Sequence, residues 1–145
     1  MRFLLYWQQA MNPKLRDPKR AVELGKEAVE LAPQSSLVWQ YFGWVQYRAG
    51  NWKASIEALE KSCKLQNPGD SCQWIVMALA HGKLANEKEL PEQERTRHKA
   101  EARRWYDEAV KQIDIWGAGG NSIMQATRAF RAEAAELLGV KEKQK

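Results

Sequence analysis

Apolar and small residues recur along this chain with the period of an α-helix. Trp39, Phe42, Gly43 and Gln46 fall at i, i+3, i+4 and i+7, which is one stripe of a helix. Gly50-Asn51 then breaks the pattern, with Asn51 placed to cap the next helix. In that helix Trp52, Ser55, Ile56, Leu59, Ser62 and Cys63 form a second stripe. Asp17-Pro18 is the same kind of start signal earlier in the chain, an N-cap residue followed by proline at the first helical position.

The helical pattern also repeats at longer range. Asp17–Pro33 lies over Asn51–Asn67 at a spacing of 34 residues, placing Ala21 on Ser55, Val22 on Ile56, Ala28 on Ser62, Val29 on Cys63 and Leu31 on Leu65. A second register, offset by 35, links Ser35–Gly50 to Asp70–Ala85, with Trp39 on Trp74, Phe42 on Met77, Gly43 on Ala78 and Val45 on Ala80. Small positions stay small and apolar positions stay apolar, while the charged positions drift. A repeated unit of two helices is predicted, with small residues at 43, 55 and 62 letting the helix backbones approach closely.

Trp39-x-x-Phe42-Gly43, followed by Tyr47, Gly50, Trp52, Ser55, Leu59, Ser62 and Asn67, resembles the tetratricopeptide repeat. Ala21, Ala28 and Pro33 match the second half of a preceding unit, whose first helix (about Phe3–Ala10) lacks the motif. Trp74, Met77 and Ala78, then Ala102, Tyr106 and Ala109, match a following unit whose halves lie about 12 residues too far apart. The resemblance covers most of Leu15–Ile113, and the stretch resembles repeat segments of bacterial multidomain signalling proteins. It implies an all-α fold: a right-handed solenoid of about three helix pairs closed by a C-terminal capping helix. The expected organisation is one domain over 1–140, with units at about 2–35, 36–70 and 71–116, an insertion at 87–99, the capping helix at 121–138 and a charged tail at 141–145.

The insertion carries Pro91 near its start and no Gly or Pro afterwards, while Ala102, Trp105, Tyr106, Ala109, Val110 and Ile113 keep a helical stripe. One long helix is therefore expected, its first two turns projecting into water; a loop is the alternative. After Gly117–Gly120, Ser122 and Gln125 fit a capping box, and Ile123, Thr127, Phe130, Ala134, Leu137 and Leu138 form an inner face.

Composition narrows the function classes. The chain has 145 residues, 44% hydrophobic and 28% charged, and carries a net charge of +5. Its two signs interleave: Glu87–Arg104 holds five Glu against six Lys or Arg. Nucleic-acid grooves need unopposed basic residues, so no nucleic-acid partner is expected. No apolar run is long enough to cross a membrane. Two Cys and two His offer no zinc motif, and no cofactor or metal is expected. Cys63 and Cys72 read as reduced thiols, which suits a cytoplasmic chain. His81 reads as structural and His98 as part of a solvated face. No nucleophile elbow, P-loop or dinucleotide fingerprint occurs, so no enzyme activity is expected.

Tryptophan is the compositional outlier, with seven residues. Trp39, Trp74 and Trp105 fit core positions; Trp44 does not. With Leu37, Gln40, Tyr47 and Arg48 it lies on the face of its helix pointing away from the partner helix, and Ile75, Leu79 and Lys83 match that face in the next unit. In tetratricopeptide arrays this face lines the concave surface that holds peptides, so these eight residues are the candidate ligand groove. The family also includes domains that clamp a C-terminal carboxylate with Lys and Asn. Here the corresponding positions hold Gln40, Tyr41, Trp44, Cys72 and Val76, so that ligand is not expected. The resulting expectation is a non-enzymatic adaptor for a protein or peptide partner. The alternatives are a self-associating module forming a homodimer, a regulatory segment of a larger signalling protein, and a groove filled by the chain's own termini (Phe3, Leu5, Tyr6, Trp7 or the last helix).

Overall fold

A computed structural model describes residues 17–116, 120 and 122–142. The expected N-terminal helix, Gly117–Gly119, Asn121, the Ser122 side chain and Lys143–Lys145 lie outside the described residues. All regular structure among the described residues is helical, as the periodicity predicts. The chain divides into two compact units, one ending at Gly69 and the other beginning at Asp70.

The first unit contains α1 (Pro18–Leu31), α2 (Ser36–Arg48) and α3 (Trp52–Leu65). Asp17 caps α1 by accepting a hydrogen bond from the Arg20 amide at 3.2 Å, with Pro18 in the first turn where no amide hydrogen is needed. Ser35 caps α2 through the Val38 amide. The α2–α3 turn depends on Gly50, whose φ of 84° is the left-handed conformation that a side chain disfavours. Asn51 begins α3 without a side-chain cap; its amide instead donates to Gln46 at 2.8 Å.

Close approach of α2 and α3 follows from the small residues that the sequence singles out. A Cβ on Gly43 would stand 2.6 Å from Leu59, closer than van der Waals contact allows. Beside it the Ser55 hydroxyl donates to the Gly43 carbonyl at 2.7 Å. One end of the same seam is closed by Ser62, which donates to the Ser36 carbonyl at 2.7 Å. Val29, Phe42 and Ala58 form a buried cluster joining all three helices, with Val22, Val38 and Trp39 at its edge.

The second unit contains α4 (Ser71–Ala85), α5 (Glu92–Trp116) and α6 (Ser122–Leu138). Asp70 and Gln73 form a capping box at the start of α4: Asp70 accepts from the Cys72 amide at 2.9 Å, and Gln73 accepts from the Asp70 amide at 2.7 Å. The Ser71 amide, left over by the helix, donates to Gln112 of α5 at 2.7 Å. Helix α4 is buried on nearly every side, between α5 and α6. Gly82 permits the contact with α6, since a Cβ there would meet Leu137 at 2.8 Å.

The insertion is helical from Glu92, which decides against the loop alternative. Its first turns are largely exposed, but they do not simply project into water: His98 is buried and touches α4. Helix α6 ends in a left-handed Gly139, and Glu142 of the charged tail is fastened back onto the unit.

Candidate binding surface

The first unit holds five of the eight candidate groove residues, all on α2. Leu37 is exposed and Arg48 half-buried, whereas Gln40, Trp44 and Tyr47 are buried. Trp44 has no accessible surface at all (0%), and its ring meets that of Tyr41 edge to face with centroids 5.7 Å apart. Arg48 places its guanidinium 5.6 Å from the Tyr47 ring centre. In the second unit Ile75 and Leu79 are buried and Lys83 is half-buried.

Five of the eight side chains are thus covered by the chain itself, and an open aromatic groove is not what these positions present. Helical periodicity identifies the face turned away from the partner helix, but cannot say whether another part of the chain lies over it. Among the described residues, four large apolar side chains remain in water, and Leu37 is the groove candidate among them. Leu31 (87% exposed) and Leu37 (45%) flank the α1–α2 turn, and Ile115 (81%) and Trp116 (43%) end α5.

The second unit carries most of the unusual side-chain chemistry. His81 on α4 and His98 on α5 are each only 9% exposed, and their Nδ1 atoms lie 2.9 Å apart. Such a contact requires one ring to donate and the other to accept. Burial is the main force lowering the His81 pKa to about 4, with the His98 and Arg97 charges acting the same way and Glu101 opposing them. His81 is therefore neutral at neutral pH. Its partner was expected on a solvated face, yet the stripe His98, Ala102, Tyr106, Ala109 and Ile113 is the buried face of α5. The sequence signal was available: His98 stands one helical turn before Ala102.

Arg131 on α6 anchors a second polar group. It donates to Asp114 of α5 at 2.7 Å and to Glu142 at 2.9 and 3.1 Å, while the Tyr106 hydroxyl also donates to Glu142. Burial opposes the charged guanidinium, but these hydrogen bonds outweigh it and hold the Arg131 pKa above its ordinary value. Burial likewise opposes the Glu142 carboxylate, and bonds from Arg131 and Tyr106 still keep its pKa below the usual range.

Cys72 receives a hydrogen bond from Thr127, but burial dominates and pushes its thiol pKa up to about 12, so it is a poor nucleophile. Neither Cys63 nor Cys72 is in a disulfide. An open cleft of about 510 Å³ is lined by Gly82, Ala85, Lys99, Arg103, Glu136 and Leu137, among others.

Among the described residues, no helix is long and apolar enough to cross a membrane, and no group of three or more His, Cys, Asp and Glu side chains is arranged around a metal position. Set against protein-family models, curated proteins and solved structures, the chain matches none of them.

Proposed function

We propose that this chain is a non-enzymatic protein-binding module, built on tetratricopeptide-like helix hairpins, that holds a protein or peptide partner through side chains at its helix ends. The observation that carries this reading is the water exposure of Leu31, Leu37, Ile115 and Trp116, large apolar groups whose hydration favours association. Leu37 belongs to the groove expected from sequence, and Arg48 and Lys83 are the members of that groove with a charge still within reach of an acidic partner. Trp44 supports the fold under this reading, and does not contact the partner.

The test compares two double variants, Leu31→Ser with Leu37→Ser and Ile115→Ser with Trp116→Ser. Both should keep wild-type helicity and thermal midpoint. One of them should lose a partner that the wild-type chain captures and that can be rebuilt as a purified complex. Retention of that partner by both variants, each still folded, would refute this placement of the surface.

The same exposed groups favour a second reading, self-association. Sedimentation velocity over a wide concentration range separates the two: a dimer lost in either double variant supports self-association, and a strict monomer rejects it.

A further inference from the structure

We propose that His81 and His98 form a two-imidazole site for a divalent transition-metal ion (copper, nickel or zinc), which ties the last turns of α4 to the first turns of α5. The imidazole nitrogens already face each other, at 2.9 Å between Nδ1 atoms and 5.1 Å between ring centres. With metal–nitrogen bonds of about 2.0–2.1 Å and a tetrahedral angle, two imidazoles place their nitrogens about 3.3 Å apart and their ring centres about 5.2 Å apart. The ring centres are therefore already where a chelate needs them. Only the rings must pivot, opening the nitrogens by a few tenths of an ångström while the two helices stay in place.

Each ring presents an Nδ1 lone pair once the shared Nδ1 proton moves to the outer nitrogen of its own ring. No carboxylate or thiolate among the described residues completes a closed cage with them. Water therefore supplies the remaining positions, and binding is exchangeable. Each histidine keeps a small exposure (9%), and Gly82 and Lys99, their neighbours in sequence, line an open cleft of the same unit. Imidazole donors select borderline ions over magnesium and calcium, which demand oxygen ligands. Affinity should follow the order copper above nickel, with zinc below copper.

These are the only two histidines in the chain, which makes the test direct. Nickel, zinc and copper ions, with magnesium as control, are titrated into the full chain, and binding, thermal midpoint and the histidine ring NMR signals are followed. The expected result is one equivalent bound, selective broadening of both histidine rings by nickel, and a higher thermal midpoint with each of the three ions but not with magnesium. His81→Gln and His98→Gln should each abolish the ring-centred binding. Broadening of only one ring, of neither, or an equal response to magnesium would overturn the proposal. Because the ring signals are read on the wild-type chain, the outcome stands even where a variant fails to fold. Binding that survives in both folded variants would place the metal elsewhere on the chain and also reject the site.

Discussion

Where α2 meets α3, the contact is made by Gly43 and three serines, Ser36, Ser55 and Ser62, whose hydroxyls bond to backbone carbonyls or to each other across the seam. Where α4 meets α5, the matching small residues are Ala78, Ala102 and Ala109, all fully buried, and the polar link is a pair of histidines. Both seams need small side chains, because two backbones cannot approach over bulky ones. They differ in what the polar groups can do. A serine hydroxyl adds a second bond to a carbonyl already used by its helix, and titrates at no accessible pH. The histidine nitrogens share one proton between helices. The second unit is also fastened at its end by Arg131, whereas the first carries an exposed Arg20–Glu23 pair at 3.4 Å. The α2–α3 seam is thus joined by hydroxyls, and the α4–α5 seam by a titratable pair.

The sharpest way to break this comparison is to remove bulk from matched positions. Trp44→Ala should cost about 3–5 kcal/mol, because a fully buried indole leaves a cavity that neighbours cannot refill. Leu79→Ala, at the corresponding position in α4, should cost about 2–5 kcal/mol by the same mechanism. Urea unfolding monitored by circular dichroism checks both. A Trp44 variant with wild-type stability would show that the indole is not part of the core.

The next test exchanges small residues between the seams. Gly43→Ala should destabilise by about 1–3 kcal/mol from overpacking, less the roughly 1 kcal/mol that alanine gains in helix propensity. The added methyl would sit 2.6 Å from Leu59, itself fully buried and unable to swing aside into solvent. Ala78→Gly should also destabilise, by about 1 kcal/mol or more, since it loses both a buried methyl and helix propensity. A stabilised Gly43→Ala would show that the α2–α3 seam has slack.

Much of this was legible in the sequence. Asp17-Pro18 and Gly50 announced helix boundaries through local backbone chemistry, and the recurrence of Gly43, Ser55 and Ser62 announced the seam. The candidate groove was less legible. Trp44 stands on a face that periodicity alone leaves open, and a helical stripe does not encode whether such a face is covered. The burial of His98 is obscured for a simpler reason: flanking Arg97 and Lys99 dominate the local composition, while the one-turn spacing to Ala102 fixes the face.

A smaller effect separates the polar links. Ser55→Ala should cost about 0.5–1.5 kcal/mol, because the Gly43 carbonyl keeps its helical partner. His98→Ala should cost about 1–3 kcal/mol, leaving the buried Nδ1 of His81 without this bond. Replacing both histidines by leucine should cost less than the two single losses added together, since no buried nitrogen is then stranded. A double-mutant cycle in thermal or urea unfolding measures that coupling, and strict additivity would mean that the 2.9 Å contact carries no energy.

The smallest effect concerns the chain end. Glu142→Gln should cost roughly 1 kcal/mol or less at neutral pH, because Arg131 keeps Asp114 and the site is partly exposed. Its pH dependence is more diagnostic than its size. The folded protein holds the Glu142 pKa below its ordinary value of 4.5, so the folded state favours the carboxylate. The unfolded chain takes up this proton first as pH falls, and stability from the contact is therefore complete above the ordinary value and drains away below it. Glutamine does not titrate. The stability gap between wild type and Glu142→Gln should be flat from neutral pH to about 5 and then shrink toward zero in acid, and high salt should narrow it at neutral pH. A gap that instead widened in acid would mean that Glu142 is better held as the neutral acid, and that neither the charge of Arg131 nor the hydrogen bond from Tyr106 fastens its carboxylate.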